Sequence, residues 1–302
     1  MNTRLIKDKF EKIGARVRIE KMADNRNEAR SSRWDLWGPF VTFENGKAVI
    51  NDEPPEESDT PNIRIDVAKD RKGEIFLIEA GDAVDVRVMD CVPRNRHLLL
   101  FVKSDLTNLR FLCGHDERQW YVAAIPDSDK PASSVSGAIE ALKPDLVKTA
   151  QKQNRVRRKN RNKRRNKGFV RQGEWFFVPA GDIQVDSRTI LRNEPISRGT
   201  GSKPHIVEEL FRIGGETVYV CGSVPGGITE EERNELFKQV PDNMKEEVRN
   251  WNWTVMKRNP EVYARGKVRH KDHRTIVLKD WHRVFMNTED KSPARKNVVF
   301  LD

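Results

Sequence analysis

The segment RKGEIFLIEAGD, residues 71–82, returns one hundred positions later as RQGEWFFVPAGD, residues 171–182, with seven of twelve columns identical and no gap. In each copy Arg-x-Gly-Glu reads as a turn, because glycine tolerates backbone angles that other residues resist. The apolar run that follows, IFLI or WFFV, reads as a strand entering a core. Taken as equivalent, the windows make the chain a tandem of two β-rich modules, with Gly73 and Gly173 in corresponding turns and Phe76 and Phe176 buried on corresponding strands.

Outward from the first window lie IRIDVAKD, the continuation DAVDVRVMDCV, HLLLFVK and LRFLCGHDERQWYVAAIP. These short runs, rich in β-branched and aromatic residues and separated by turn residues, predict a mainly antiparallel sheet. RWDLWGPFVTF and KAVI predict two further strands around Asn45-Gly46, and the acidic NDEPPEESDT, residues 51–60, an exposed loop. From Ser133 the texture turns helical, with Ser134 or Ser136 as caps and Pro144 opening a helix into a basic tract. Strands resume with EWFFVPA, a hairpin IVEELFRIGGETVYVCG around Gly214-Gly215, VYARGKVRH and TIVLKDWHRVFMN. Two helices interrupt them, one capped by Thr229 and one over DNMKEEVRNW. The expected fold is α+β, mainly β: two related antiparallel β-rich modules joined by a basic, partly helical connector. Its boundaries are an N-terminal segment at 1–30, modules at 31–132 and 171–302, the connector at 133–170, and a helical insertion near 228–251.

The chain of 302 residues carries 56 basic and 46 acidic residues. Twelve of the cations fall between Leu146 and Gly173 with no acid among them, and without those twelve the balance is 44 basic against 46 acidic. The positive charge therefore belongs to one segment. Lys152, Arg155, Arg157, Arg158, Lys159, Arg161, Lys163, Arg164, Arg165, Lys167 and Arg171, interleaved with Asn and Gln, suit phosphates and base edges together. The partner this predicts is nucleic acid, RNA before DNA, on a segment that frays when free because its charges repel and orders when a polyanion neutralises them. No apolar run reaches membrane-spanning length and the first residues lack a secretory core, so a cytoplasmic, membrane-free protein is expected. Cys91, Cys113 and Cys221 are odd in number and without metal-binding spacing, which predicts reduced thiols.

Of six histidines, His270, His273 and His282 crowd into one stretch, and His205 ends the glycine-rich GTGSKPH. A site there requires His270, His273 and either His205 or His282 to face one cavity, since neither metal binding nor proton transfer acts across a gap. These four are the candidate catalytic residues, for metal-dependent or acid/base chemistry. The default reading is packed histidines and no cofactor. RQGEWFF, GTGSKPH and VRHKDHRTIVLKDWHRVFMNTE together resemble a group of uncharacterised bacterial and phage proteins with an Arg-Gln-Gly-Asp/Glu start, a Gly-x-x-His element and a closing His-x-x-His strand. The resemblance implies the two-module layout and brings no activity with it.

Cys113-Gly114-His115-Asp116-Glu117-Arg118 reads as a charged hairpin turn closed by an Asp/Arg pair, and Gly199 and Gly201 as parts of a flexible loop. Among Trp34, Trp37, Trp120, Trp175, Trp251, Trp253 and Trp281, some are expected to stack on bases and most to fill cores. The leading expectation is an RNA-associated binding protein using its arginine-rich connector. The alternatives are an enzyme acting on nucleic acid through the histidines, and an assembly protein with protein partners.

Overall fold

The structure is a computed structural model that describes residues 1–22, 40–44, 47–51, 62–105, 107–128, 130–198, 203–240 and 242–291. Trp34, Trp37, Gly199, Gly201, the Asn45-Gly46 turn and all but the first residue of the acidic 51–60 stretch lie outside the described residues. The fold is α+β and mainly β, with several antiparallel sheets. No helix among the described residues is long and apolar enough to cross a membrane. The chain forms two compact units that cut across the expected module boundaries. One comprises Met1–Ala23, Asp59–Phe211 and Val262–Asp302, and the other Asp24–Ser58 and Arg212–Glu261.

In the first unit, helix α1 (Thr3–Lys12) starts at Asn2, whose side chain accepts from the Leu5 amide, and buries Ile6 and Phe10 on one face. Strand β1 (Val17–Lys21) then runs parallel to β5 (Gly73–Ala80), which is antiparallel to β4 (Ile63–Asp70). Sequence reading found neither α1 nor this parallel pair. Strands β6 (Asp85–Val92), β7 (His97–Lys103), β8 (Asn108–Asp116) and β9 (Gln119–Ala124) form an antiparallel meander. One face of the meander joins α1 and the β1-β5-β4 sheet in a core around Phe10, Phe76, Leu98, Leu100 and Phe111. The other face, through Leu99, Leu112 and Ala123, packs on helix α2 (Val135–Ala141).

Helix α3 (Asp145–Gln153) follows Pro144, as the sequence predicts, and places Val147 against Phe169 and Phe176. Strands β10 (Val170–Gln172), β11 (Trp175–Pro179), β12 (Leu191–Ile196), β13 (His205–Ile213), β17 (Glu261–Arg269) and β18 (Ile276–Met286) make a six-stranded sheet in the order β10-β11-β18-β17-β13-β12. The Gly214-Gly215 pair, both at positive φ, does not close a hairpin. It carries the chain from β13 into β14 (Glu216–Cys221) of another sheet, which corrects the hairpin expected there.

The second unit holds that sheet, β15-β14-β16, with β15 at Val224–Ile228 and β16 at Thr254–Arg258, and the hairpin of β2 (Phe40–Glu44) and β3 (Lys47–Asn51). Helix α4 (Glu230–Gln239) begins in a reciprocal capping box between Thr229 and Glu232. With α5 (Lys245–Asn250) it covers Cys221, Val224, Ile228, Leu236 and Val248.

The repeated windows share local features without occupying equivalent positions. Each forms a hairpin turn, Gly73 and Gly173 both have positive φ, and Phe76 and Phe176 are both buried. The turns are offset by two residues, however, because Asp70 pairs with Gly73 whereas Gln172 pairs with Trp175. The sheets around them also differ in strand number and order.

The connector is folded beyond α3, where sequence reasoning expected fraying. Arg155 turns left-handed to end the helix, and Lys143, 1% exposed, gathers the following loop. Its ammonium donates to Glu140 Oε2 at 2.6 Å, Asn162 Oδ1 at 2.8 Å and the Arg161 carbonyl at 3.0 Å, and that carbonyl also accepts from Gln151. One buried cation with several acceptors thus fixes a loop whose other cations repel, and its loss leaves those acceptors unmatched. Lys143→Ala is expected to speed tryptic cleavage between Arg155 and Lys167 at least tenfold in native buffer, while cleavage in the second unit stays at its parent rate.

Candidate functional site

His205 opens β13, His270 follows the last residue of β17, and His273 sits in the turn to β18. Strand pairing brings them together. Ring centroids lie 4.1 Å apart for His205 and His270, 4.7 Å for His270 and His273, and 5.6 Å for His205 and His273, with the planes within 28° of parallel. One ring nitrogen from each lies within 4.8 Å of the others, so the trio can hold a metal ion. His282 stays out. It lies on β18 opposite Ala264 of β17, and its Nδ1 is 2.7 Å from the Asp280 carbonyl.

The turn between β10 and β11 closes the cluster. Gln172, 1% exposed, donates from Nε2 to the Val268 carbonyl at 3.2 Å and the Arg274 carbonyl at 2.6 Å, clamping both ends of the His270–His273 turn. Gly173 follows with φ +56°, and a Cβ there would lie 2.8 Å from His273 Nε2 and 3.3 Å from His205 Nε2. The glycine of the repeated window is therefore needed for the approach of the imidazoles as well as for the turn.

Within this enclosure both ring nitrogens of His205 are buried without a hydrogen-bond partner, as is His273 Nδ1. Orphaned buried polar atoms cost about 1–3 kcal/mol each, so they point to a missing ligand or a special role. Burial, and then the neighbouring rings of His270 and His273, push the His205 pKa down to about 2. Burial lowers His273 as well, against the pull of Asp116 and Glu117. Neutral rings keep the lone pairs that metal ligation uses. The Asp272 amide donates to His270 Nδ1 at 3.2 Å, a long contact that ligation through Nε2 would have to relinquish. Burial would raise the Asp272 carboxyl, but the Lys203 ammonium at 2.9 Å and the two neighbouring histidines hold it below its ordinary value.

The β8–β9 turn supplies two carboxylates. It is the charged turn expected from sequence, with Glu117 at φ +54°, but Asp116 pairs with Arg164 of the connector and Arg171 of β10 in place of Arg118. Glu117 takes Arg164 on one oxygen. Its other oxygen accepts from the Arg274 amide at 2.6 Å and lies 3.7 Å from His273 Nδ1. Cys113, on the same hairpin, is fully buried, and burial raises its pKa, so it is no nucleophile.

Part of this cluster borders a cavity of about 410 Å³, which His205 and Glu117 do not line. His270, His273, Asp116, Arg171 and Lys203 occupy its polar part, and Leu112, Tyr121, Ala123, Ile139 and Phe176 its apolar part. Glu289, 1% exposed, braces the wall by accepting from the Ala124 amide and from Arg198. Of the connector cations expected to bind nucleic acid, Arg164 and Arg171 turn to Asp116. Lys152, Arg155, Arg157, Arg158, Lys159, Arg161, Lys163, Arg165 and Lys167 are exposed. No described tryptophan is fully exposed, and Trp120 is already engaged with Phe76, His115 and Arg96. Sequence reading missed Gln172, Asp116 and Glu117 as parts of the site. No family model, curated protein or solved structure matches the chain.

Two outcomes follow from the geometry. Without added metal, His205 and His273 take up protons on unfolding but resist them when folded. The stability from this source is complete above the unfolded pKa near 6.5 and is lost as pH falls below it. Urea denaturation between pH 7.5 and 5 is expected to show a fall approaching about 1.4 kcal/mol per pH unit for each such proton, and His205→Gln a shallower fall. In the second, Gly173→Ala is expected to cost about 1–3 kcal/mol and abolish any rise in Tm given by zinc. Gly73→Ala, with nothing within 4 Å of its added Cβ, is expected to lose stability but keep the zinc response.

Proposed function

We propose that the protein is a metal-dependent enzyme acting on nucleic acid, RNA in preference to DNA, with His205, His270 and His273 as the metal ligands. The observation that carries the reading is His205, buried with two unpartnered ring nitrogens between two other imidazoles. An acid/base histidine must face the substrate, and His205 does not line the cavity, whereas a metal held among the three rings would engage its ligating nitrogen. Three imidazoles suit zinc or ferrous iron, which when bound would polarise a phosphate oxygen or a water molecule. Lys203 and Arg171 line the cavity as well, each paired with an acid, Asp272 and Asp116, from which a substrate phosphate would draw them. The nine exposed cations of the connector supply the polymer's phosphate contacts.

A second reading has an observation of its own in those nine cations: an RNA-associated protein that binds without catalysis. One experiment separates the two. Untagged protein is analysed for metal, then incubated with a structured RNA and with duplex DNA, with and without a chelator, across a salt series. The enzyme reading predicts about one zinc or iron per chain and chelator-sensitive cleavage that His205→Ala abolishes. RNA binding that is unaffected by metal, with no cleavage of either polymer, supports the second reading and contradicts the first. In either case Arg157→Ala, Arg158→Ala, Lys159→Ala and Arg165→Ala together should flatten the logarithmic salt dependence of binding by about three units if all four touch phosphate. Unchanged binding at every salt concentration would remove the connector from both readings.

A further inference from the structure

We propose that Glu117 is the outer carboxylate of the metal centre, positioning His273, and that Arg164 ties it to the basic connector, so that RNA on the connector tightens metal binding. The inference rests on the metal reading above and adds its regulation.

The side of His273 that meets Gly173 and His205 is the Nε2 side, since both Nε2 atoms crowd the same point next to Gly173. Nδ1 therefore lies across the ring, 3.7 Å from Glu117 Oε2. An imidazole that ligates through Nε2 carries its proton on Nδ1, and metalloproteins commonly aim that N–H at a carboxylate, which fixes the ring and makes it a better donor. Glu117 is well held for this task. Its Oε2 is fixed by the amide of Arg274, the residue after His273, so the ring and the carboxylate are anchored to one stretch of backbone.

The other oxygen of Glu117 belongs to Arg164, which also pairs with Asp116. Arg164 is the point at which the connector reaches the cavity. Its side chain is 38% exposed, and its neighbours Lys163 and Arg165 face solvent. A phosphate backbone crossing Lys163 and Arg165 competes with Glu117 for the Arg164 guanidinium, because both offer charged oxygens to the same donors. When Arg164 turns to phosphate, a positive charge leaves the neighbourhood of the metal and Glu117 is left to His273. Both changes favour a divalent cation. By linkage, the metal must favour RNA binding by the same factor.

The test measures Co²⁺ affinity of the full chain by competition with a chromophoric chelator, with and without a saturating 20-nucleotide oligouridylate, correcting for metal bound by the oligonucleotide alone. The parent is expected to bind Co²⁺ about tenfold more tightly with RNA. Glu117→Gln should bind Co²⁺ about 10- to 100-fold more weakly and shift the cobalt visible absorption, a signature that loss of stability alone would not move. Arg164→Ala should bind Co²⁺ more tightly than the parent without RNA and gain nothing when RNA is added. Arg158→Ala, also a connector cation but far along the exposed loop, should need more RNA and then show the full gain. An undiminished RNA effect in Arg164→Ala, or parent-like affinity and spectrum in Glu117→Gln, overturns the proposal while leaving the metal centre in place. A parent chain that binds no Co²⁺ overturns the metal reading itself.

Discussion

Three imidazoles can stack in the interior of this protein only because the chain beside them has no side chain. Gly173 lies so close that a Cβ there would fall 2.8 Å from His273 Nε2 and 3.3 Å from His205 Nε2. Gln172, one residue earlier, spends its amide group holding both ends of the turn that carries His270 and His273. The six-stranded sheet sets β13 beside β17, which brings His205 to His270 and His273, and the Gln172 bonds hold the glycine turn against them. The orphaned nitrogens of His205, the depressed affinity of the rings for protons and the polar part of the cavity all follow from that approach.

Much of the fold was legible where local chemistry decides it. Ser134, Pro144 and Thr229 start helices where their side chains or ring dictate, and the β4 to β9 strands fall on the runs of apolar residues. Pairing between distant strands was not legible. Nothing local in VRIEK announces a parallel partner 59 residues away, and Gly214-Gly215 has the composition of a hairpin turn although its two strands enter different sheets. The two repeated windows were a sound guide to hairpin turns with left-handed glycines and buried phenylalanines, and a poor guide to the sheets around them.

The candidate site divides in the same way. His205, His270 and His273 were visible as residue types and as the elements of a resemblance, and spacing left His282 as a competitor until the β17–β18 register put it opposite Ala264. Glu117 and Gln172 were hidden because their roles depend on elements that meet only in the folded chain. The connector shows the cost of counting charge without anchors: repulsion among its cations is real, yet Lys143, Gln151 and the Arg164 pairs with Asp116 and Glu117 hold the loop in place. Its exposed cations face outward along one segment, while Arg164 and Arg171 turn to Asp116 at the cavity.

The central claim is that a metal ion completes the His205, His270 and His273 cluster. Anomalous diffraction at the zinc edge, from crystals of the full chain grown with one equivalent of zinc, tests it most directly. The account predicts a single strong peak among the three rings, about 2.0–2.1 Å from one nitrogen of each imidazole. Zinc found only at surface sites, with the His205 nitrogens hydrogen-bonded to ordered water, would contradict it.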